Sequence, residues 1–248
     1  MTQRQSDDFH VTSAANVPAV TSAATNAATA AFNRGEDPIA LGGRLLGWHA
    51  EAVAAVRRRL PLAGELACST GCAWCCHLKV TLTPLEALRL LSHLRSTLSA
   101  ETMSQLKRRV RDADRQTRAK TAEERLALAL PCPLLGDDKR CTAYEARPLS
   151  CAGTNSYDAE GCKRGVSGEG SADEIPHDPV QLVSASAVAS GVTEATFASQ
   201  KDGRILELVA ALRVGLDDPE AKSKWSRGMP VFQAAIDPEF DALMRGKR

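Results

Sequence analysis

The sequence is poor in aromatic residues, which make up 4% of its 248 positions, although 44% of its residues are hydrophobic. The core must therefore be built largely from alanine, leucine and valine. No stretch approaches the roughly 18 uninterrupted apolar residues of a membrane-spanning helix. The opening segment 1–8 also lacks the basic-then-apolar pattern of a secretory signal. We therefore expect neither a membrane partner nor a secretory route.

The chain also lacks an excess of charge of either sign, because 31 lysines and arginines balance 30 acids to a net charge of +1. One basic run lies in a helix predicted from about residue 99 to 119, but Asp112 and Asp114 interrupt it. No aromatic residue accompanies the run for base stacking. A solvated helix face explains this pattern better than a nucleic-acid site, so we expect no nucleic-acid partner.

Cysteine is absent before residue 68 and after residue 162, and all eight cysteines fall between these two positions. A disulfide framework would need an oxidising compartment, and a chain of this length can bury a core without such links. Structural thiols would scatter along the chain. The clustering therefore favours ligation of zinc, or of iron with sulfide.

The first four cysteines follow the pattern C-x3-C-x2-C-C at Cys68, Cys72, Cys75 and Cys76. On a helix the first three would fall within ~60° of one another. A loop is equally compatible, because Gly71 allows the backbone to curl around a centre. Cys76 would then point elsewhere or serve a second centre.

The other four cysteines are Cys132, Cys141, Cys151 and Cys162. Their wide spacing contains no C-x2-C pair, so only tertiary structure can assemble them, and we expect it to bring them onto the first four. Eight thiolates fit two four-cysteine zinc sites and also fit iron–sulfur ligation.

The helix signals predict a mainly α protein. Asp37-Pro38 and Asp178-Pro179 are start signals, and Thr83 to Glu86 forms a capping box. His49 is expected to be a partly exposed helix residue. A short β-hairpin is predicted around the polar turn 136–140, within a small cysteine-rich metal-binding region.

Three segments are predicted. The first is an arm over 1–36, rich in Ala, Thr and Ser, that is predicted to be disordered or weakly helical. The second is a cysteine-cluster metal-binding domain over 37–165, with a helical insertion at 83–130. The third is a helical extension over 166–248 that packs on this domain.

The cysteine pattern, together with Cys132-Pro133, Tyr144, and Arg147-Pro148 before Cys151, resembles the YkgJ-like cysteine-cluster family. The resemblance covers residues 68–151 and implies a bacterial, cytoplasmic protein with a zinc- or iron-chelating domain whose biochemical role is unassigned. It also implies a set of metal ligands: Cys68, Cys72, Cys75, Cys76, Cys132, Cys141 and Cys151. Cys162 joins the set through one branch of the family.

Flagellin lysine N-methylases carry a similar cluster, and C-x3-C-x2-C also resembles the radical S-adenosylmethionine signature. This second resemblance implies an alternative function, an iron–sulfur-dependent redox or methyl-transfer enzyme with a [4Fe-4S] cluster. Such enzymes usually need an α/β barrel, whereas the sequence after Cys76 is predicted to be helical. No catalytic residue and no organic cofactor site is predicted, and neither activity nor a protein partner follows from the sequence.

Several residues near the cysteines have two interpretations. His77 is a candidate ligand or a donor to a thiolate. Asn155 and Asp158 are candidate supporting groups or ordinary loop residues. The basic residues close to the cysteines in sequence could offset thiolate charge; they are Lys79, Lys139, Arg140, Arg147 and Lys163.

Overall fold

The computed structural model describes residues 8–11, 16–171 and 174–245. This part of the chain forms eleven α-helices and one antiparallel pair of two-residue strands, which confirms the mainly α class. The helices are α1 Val17–Asn33, α2 Pro38–Arg57, α3 Pro84–Thr97, α4 Ala100–Thr117, α5 Ala122–Ala127, α6 Leu149–Gly153, α7 Ala159–Ser167, α8 Pro179–Ala198, α9 Leu208–Asp217, α10 Ala221–Ser226 and α11 Pro238–Arg245. The strands are β1 Thr81–Leu82 and β2 Leu206–Glu207.

The predicted helix starts are confirmed by side-chain caps. Asp37 accepts hydrogen bonds from the backbone at the start of α2, and Asp178 does the same at the start of α8. At α3, Thr83 accepts from the Glu86 backbone N–H while the Glu86 carboxylate accepts from the Thr83 N–H. Each cap satisfies backbone donors that the first helical turn leaves unpaired.

The strands join distant parts of the chain, because β1 pairs with β2 in the register Thr81 opposite Glu207. The hairpin predicted near residue 136 is present as a tight turn closed by one bridge between Leu135 and Cys141. In this turn the Gly136 N–H donates to the Arg140 carbonyl at 2.8 Å. The cysteine-rich region is therefore held by turns more than by a sheet.

The disorder predicted for the N-terminal 36 residues is wrong for residues 17–33, which form α1 and pack against α8. Alanines line the buried face of α1, and their small size lets the two helices approach closely. A Cβ added at Gly191 of α8 would lie 2.3 Å from the Thr21 carbonyl oxygen. The buried face of this helix consists mostly of alanine and has no periodic pattern of large apolar residues, so no sequence pattern indicated a packing partner. Residues 1–7 and 12–15 of the predicted arm lie outside the described residues.

One hydrophobic core links the helices around α2 and α3. Helix α2 packs against α3 and α8, and α9 packs against α3 and α4. Trp48 of α2 is fully buried and stacks on Phe9, with ring centroids 5.3 Å apart. The helices after residue 178 thus pack on those before residue 118. No helix in the described ranges combines the length and apolarity that a membrane span requires.

His49 corrects a second expectation, because it is buried and not partly exposed. Its Nε2 lies 3.0 Å from the Gln181 carbonyl oxygen of α8. The contact of α2 with α8 covers the ring, and this burial lowers the pKa of His49 below its ordinary value.

Candidate metal centre

A glycine turn begins the first cysteine segment. The Cys72 N–H donates to the Ser69 carbonyl at 3.0 Å, and Gly71 between them has φ +90°. A turn with a positive φ at its third residue favours glycine, because a Cβ would be strained there. A 3-10 turn over Trp74–His77 follows directly. The turn, and not a continuous helix, therefore presents these cysteines.

The thiols of Cys68, Cys72 and Cys162 interact electrostatically with one another, and we call these three cysteines the outer set. The Ser156 N–H donates to the Cys68 Sγ at 3.3 Å. Burial raises the pKa of the Cys68 and Cys162 thiols. Cys162 lies in α7, which contacts the 3-10 turn Trp74–His77.

A backbone hydrogen bond joins the first cysteine segment to the second. The Cys132 N–H donates to the Cys76 carbonyl oxygen at 2.8 Å, across 56 positions of sequence. Tertiary structure thus brings the two cysteine stretches together. All eight cysteines are described, and none of them forms a disulfide.

Cys132, Cys141 and Cys151 form the second group of thiols, which we call the inner set. The Cys151 thiol interacts electrostatically with those of Cys132 and Cys141. Burial raises the pKa of Cys132 to about 12 and raises the pKa of Cys151 well above its ordinary value. Burial also raises the pKa of Cys141. Thiols in such surroundings stay protonated at neutral pH unless a cation compensates the thiolate charge.

Cys75 and Cys76 lie between the two sets. Cys75 is exposed, and a hydrogen bond with the Cys76 thiol is the main cause that raises its pKa. The Cys75 thiol interacts with Cys68 and Cys162 of the outer set and with Cys141 and Cys151 of the inner set. Cys75 is therefore the junction between the two groups, and Cys76 adjoins it.

Two arginines place positive charge beside the inner set. Arg125 is 2% exposed and interacts electrostatically with Cys132 and with Glu207. Arg147 interacts with the thiols of Cys75 and Cys141. The Nη1 of Arg125 and the Nε of Arg147 are buried and have no hydrogen-bond partner among the described residues. Buried donors without partners are rare because each one costs free energy.

Arg147 was among the basic residues expected near the thiols, whereas Arg125 was missed. Arg125 lies in α5, seven positions before the nearest cysteine, and no sequence signal separates it from other helix arginines. Lys79 was also expected near the thiols, but its buried ammonium pairs with Asp237 and Glu239, each at 2.6 Å. The charge of Lys79 is therefore balanced by these two carboxylates and does not offset the charge of a thiolate.

The other polar candidates support the backbone. Asn155 accepts from the Asp178 N–H at 2.7 Å and donates to the Asp178 carbonyl at 3.0 Å. Asp158 caps α7 by accepting from the Gly161 N–H at 2.8 Å. The Nδ1 of His77 lies 3.2 Å from the Trp74 carbonyl oxygen in its own turn. Asn155 and Asp158 thus position the loop and helix that carry Cys162.

Glu86 positions Cys151 from the other side of the site. Its carboxylate accepts from the Leu149 N–H at 2.6 Å, in addition to the N–H and hydroxyl of Thr83. Leu149 begins the short helix α6, which carries Cys151. Burial raises the pKa of Glu86. This carboxylate ties the start of α3 to the start of α6.

In the part of the chain that the structure describes, no three His, Cys, Asp or Glu side chains are grouped closely enough to hold a metal ion as they stand. The donor chemistry nevertheless fits a soft metal, because eight unbridged thiols and two unpaired arginine nitrogens converge on one region. Binding would require the thiol side chains to rotate toward a common centre.

Comparisons with known proteins support this chemistry. Residues 67–167, about two-fifths of the chain, match the model of the CxxCxxCC family, which is described as a "Putative zinc- or iron-chelating domain". The match confirms the cysteine-cluster resemblance at the level of this domain, while the YkgJ name stays an expectation. No curated protein and no solved structure matches the chain.

Proposed function

We propose that this chain, whose residues 67–167 match a zinc- or iron-chelating family model, binds zinc or iron through its eight cysteine thiolates. The observation that carries the proposal is the assembly of the outer and inner sets from two distant stretches, with every thiol free of disulfides. The metal would serve a structural, storage or delivery role.

The thiols divide naturally into two four-thiol centres. The outer set and the inner set have three members each, and Cys75, which is hydrogen-bonded to its neighbour Cys76, interacts with both. One cysteine of the pair would complete each centre, since adjacent side chains leave the backbone in different directions. Four thiolates satisfy a tetrahedral zinc ion and also hold an iron–sulfur cluster.

The charges around the inner set support a centre of negative charge. Four thiolates outweigh the charge of one divalent ion, and the excess must be compensated in a buried site. Arg125 and Arg147 supply two cations there, and each offers an unpaired buried N–H to a thiolate or sulfide sulfur. Hydrogen bonds of this kind orient metal ligands and tune the bound metal.

Metal analysis of the full chain, purified without oxygen, tests the proposal. We expect about two zinc ions per chain, or iron together with sulfide and a visible thiolate-to-iron absorption band. The thiols should then react with a thiol reagent only after denaturation and chelation. Less than about half a metal ion per chain, with eight freely reactive thiols in the native protein, would contradict the proposal.

Serine variants test the division into two centres. Cys132→Ser combined with Cys151→Ser should remove about half of the bound metal, and Cys68→Ser combined with Cys162→Ser should remove about the other half. Ser69→Ala is a matched control within the same turn and should keep the wild-type metal content. Complete loss of metal from either double variant that retains its helical circular dichroism would refute two independent centres.

The alternative of an iron–sulfur-dependent redox or methyl-transfer enzyme stays a prediction. Reconstitution with iron and sulfide under anaerobic conditions tests it through the visible spectrum and electron paramagnetic resonance of the reduced protein. A protein that takes up zinc but shows neither signal after reconstitution would exclude this alternative.

A further inference from the structure

A cavity of about 660 Å³ lies along α8, and no cysteine lines it. Its walls come from the start of α3, from α6, from α11 and from the segment around residue 205. The volume falls within the range of sites that enclose small organic ligands, roughly 300–1,000 Å³. Ser150 lines this cavity and its neighbour Cys151 belongs to the inner set, so α6 contributes residues to both sites.

Large apolar side chains lie exposed around the cavity. Leu182 and Phe197 of α8 and Phe240 of α11 all line it, and each is 41% exposed. Surface helices usually turn charged side chains toward water. In contrast, α8 contains no lysine, arginine or aspartate, and its one charged residue is Glu194. Exposed apolar groups that converge on a concave surface are typical of a binding site.

The charge at the cavity is negative. Glu194 lines it, and its carboxylate accepts a hydrogen bond from the neutral Thr25 hydroxyl at 3.0 Å. The cation on the wall, Arg204, donates two hydrogen bonds to Asp202, at 2.8 and 2.6 Å, so its charge is compensated. Asp241 also lines the cavity, but it interacts with Arg204, so the negative charge open to an occupant is that of Glu194. The cavity therefore favours a cationic group over an anionic one.

Hydroxyl groups give the cavity further hydrogen-bonding capacity. Ser186 and Ser190 are exposed on the lining face of α8 and each can donate and accept. Thr193 also lines the cavity, and its buried Oγ1 has no hydrogen-bond partner among the described residues. An occupant with a polar end and an apolar body matches this mixed lining.

We propose that this cavity binds a small organic amine with an apolar ring or chain, its ammonium group at Glu194 and its apolar body between Phe197 and Phe240. The site is separate from the thiols, and the proposal does not depend on metal binding.

Two probes of matched shape and opposite charge test the proposal. 1-Naphthylmethylamine and 1-naphthylacetate are titrated into the full-length protein, and binding is followed by calorimetry and by saturation-transfer NMR. We expect one saturable site for the amine and at least about tenfold weaker binding of the acid. Equal binding of both probes, or no saturable binding of the amine, would overturn the proposal.

Variants locate the site. Glu194→Gln keeps an acceptor for Thr25 and should weaken amine binding about tenfold. Glu101→Gln removes an acid from the exposed start of α4, outside the cavity, and should leave binding unchanged. An equal effect of the two substitutions would refute a specific role for Glu194.

Ser190→Phe provides a second, steric test because it fills the cavity without changing charge. We expect loss of amine binding with unchanged circular dichroism and an unchanged sedimentation coefficient. Retention of amine binding in this folded variant would place the probe elsewhere. A different outcome would overturn the proposal: the wild type binds no amine, and the variant has a lower sedimentation coefficient than the wild type. This outcome would show that a second copy of the chain covers the cavity.

Discussion

The close contact of α1 with α8 makes Gly191→Ala a stringent test of the packing. The new Cβ would lie 2.3 Å from the Thr21 carbonyl oxygen, and also 2.8 Å from the Ala24 Cβ and the Thr25 nitrogen. Contacts below 3.0 Å are essentially never seen for a Cβ, so α1 would have to move by about 0.7 Å. Two of the three atoms belong to the backbone of α1, and a local side-chain rotation cannot relieve the clash.

The expected cost is that of an overpacked core, about 1–3 kcal/mol. The better helix propensity of alanine offsets part of it, by up to about 1 kcal/mol. We therefore expect a net loss of about 1 kcal/mol in the free energy of unfolding. For a chain of this length, this loss lowers the melting temperature by roughly 2–4 °C.

Gly47→Ala in α2 is the matched control, because its Cβ would meet nothing within 4 Å. The same change of residue should there raise stability by about 0.5–1 kcal/mol. Thermal unfolding followed by circular dichroism under reducing conditions measures both variants. Hydrogen exchange of α1 should also accelerate in Gly191→Ala alone. A melting temperature at or above the wild-type value for Gly191→Ala would refute the tight packing of α1 on α8.

Three other outcomes are expected. Glu86→Ala should lower the free energy of unfolding in urea by about 2–4 kcal/mol, because it leaves the buried Leu149 N–H without its acceptor and removes the capping box. Glu86→Gln keeps one acceptor and should lower it by less. Equal losses for the two variants would contradict this role of the carboxylate. Burial lowers the pKa of His49 in the folded protein, so below about pH 6.5 the unfolded state binds more protons than the folded state. The free energy of unfolding should therefore fall as the pH is lowered below about 6.5, by up to about 1.4 kcal/mol per pH unit. His49→Gln should flatten this slope in urea midpoints, and an unchanged slope would show that other groups cause it. Chelation under reducing conditions should lower the melting temperature of the wild type more than that of the inner-set double variant, and equal shifts would argue against metal at the inner set.

Local signals in the sequence determined the starts of three helices, α2, α3 and α8. Asp37-Pro38, the Thr83–Glu86 capping box and Asp178-Pro179 begin helices as predicted, because a cap satisfies backbone donors a few residues away and needs no distant partner. The thiol cluster was also visible in the sequence, since clustering and motif spacing are properties of the chain itself. The family match over residues 67–167 agrees with it.

Features that depend on distant partners were not predictable in this way. Helix α1 has the composition of a disordered arm, and its order follows from the approach that Gly191 permits. His49 was expected at the surface, and α8 buries it from across the fold. Arg125 resembles any helix arginine until the fold places it beside Cys132.

The sequence by itself determined which atoms are available for metal binding: eight thiols in two stretches, with the residues that cap and turn the chain around them. Tertiary structure alone decided that the two cysteine stretches adjoin, because the Cys132–Cys76 backbone hydrogen bond and the packing of α7 bring together groups that lie far apart along the chain. The physical reason is the distance along the chain over which each kind of interaction acts. Caps and turns act over three or four residues, whereas burial and the electrostatic interactions between thiols depend on which surfaces the folded chain presses together.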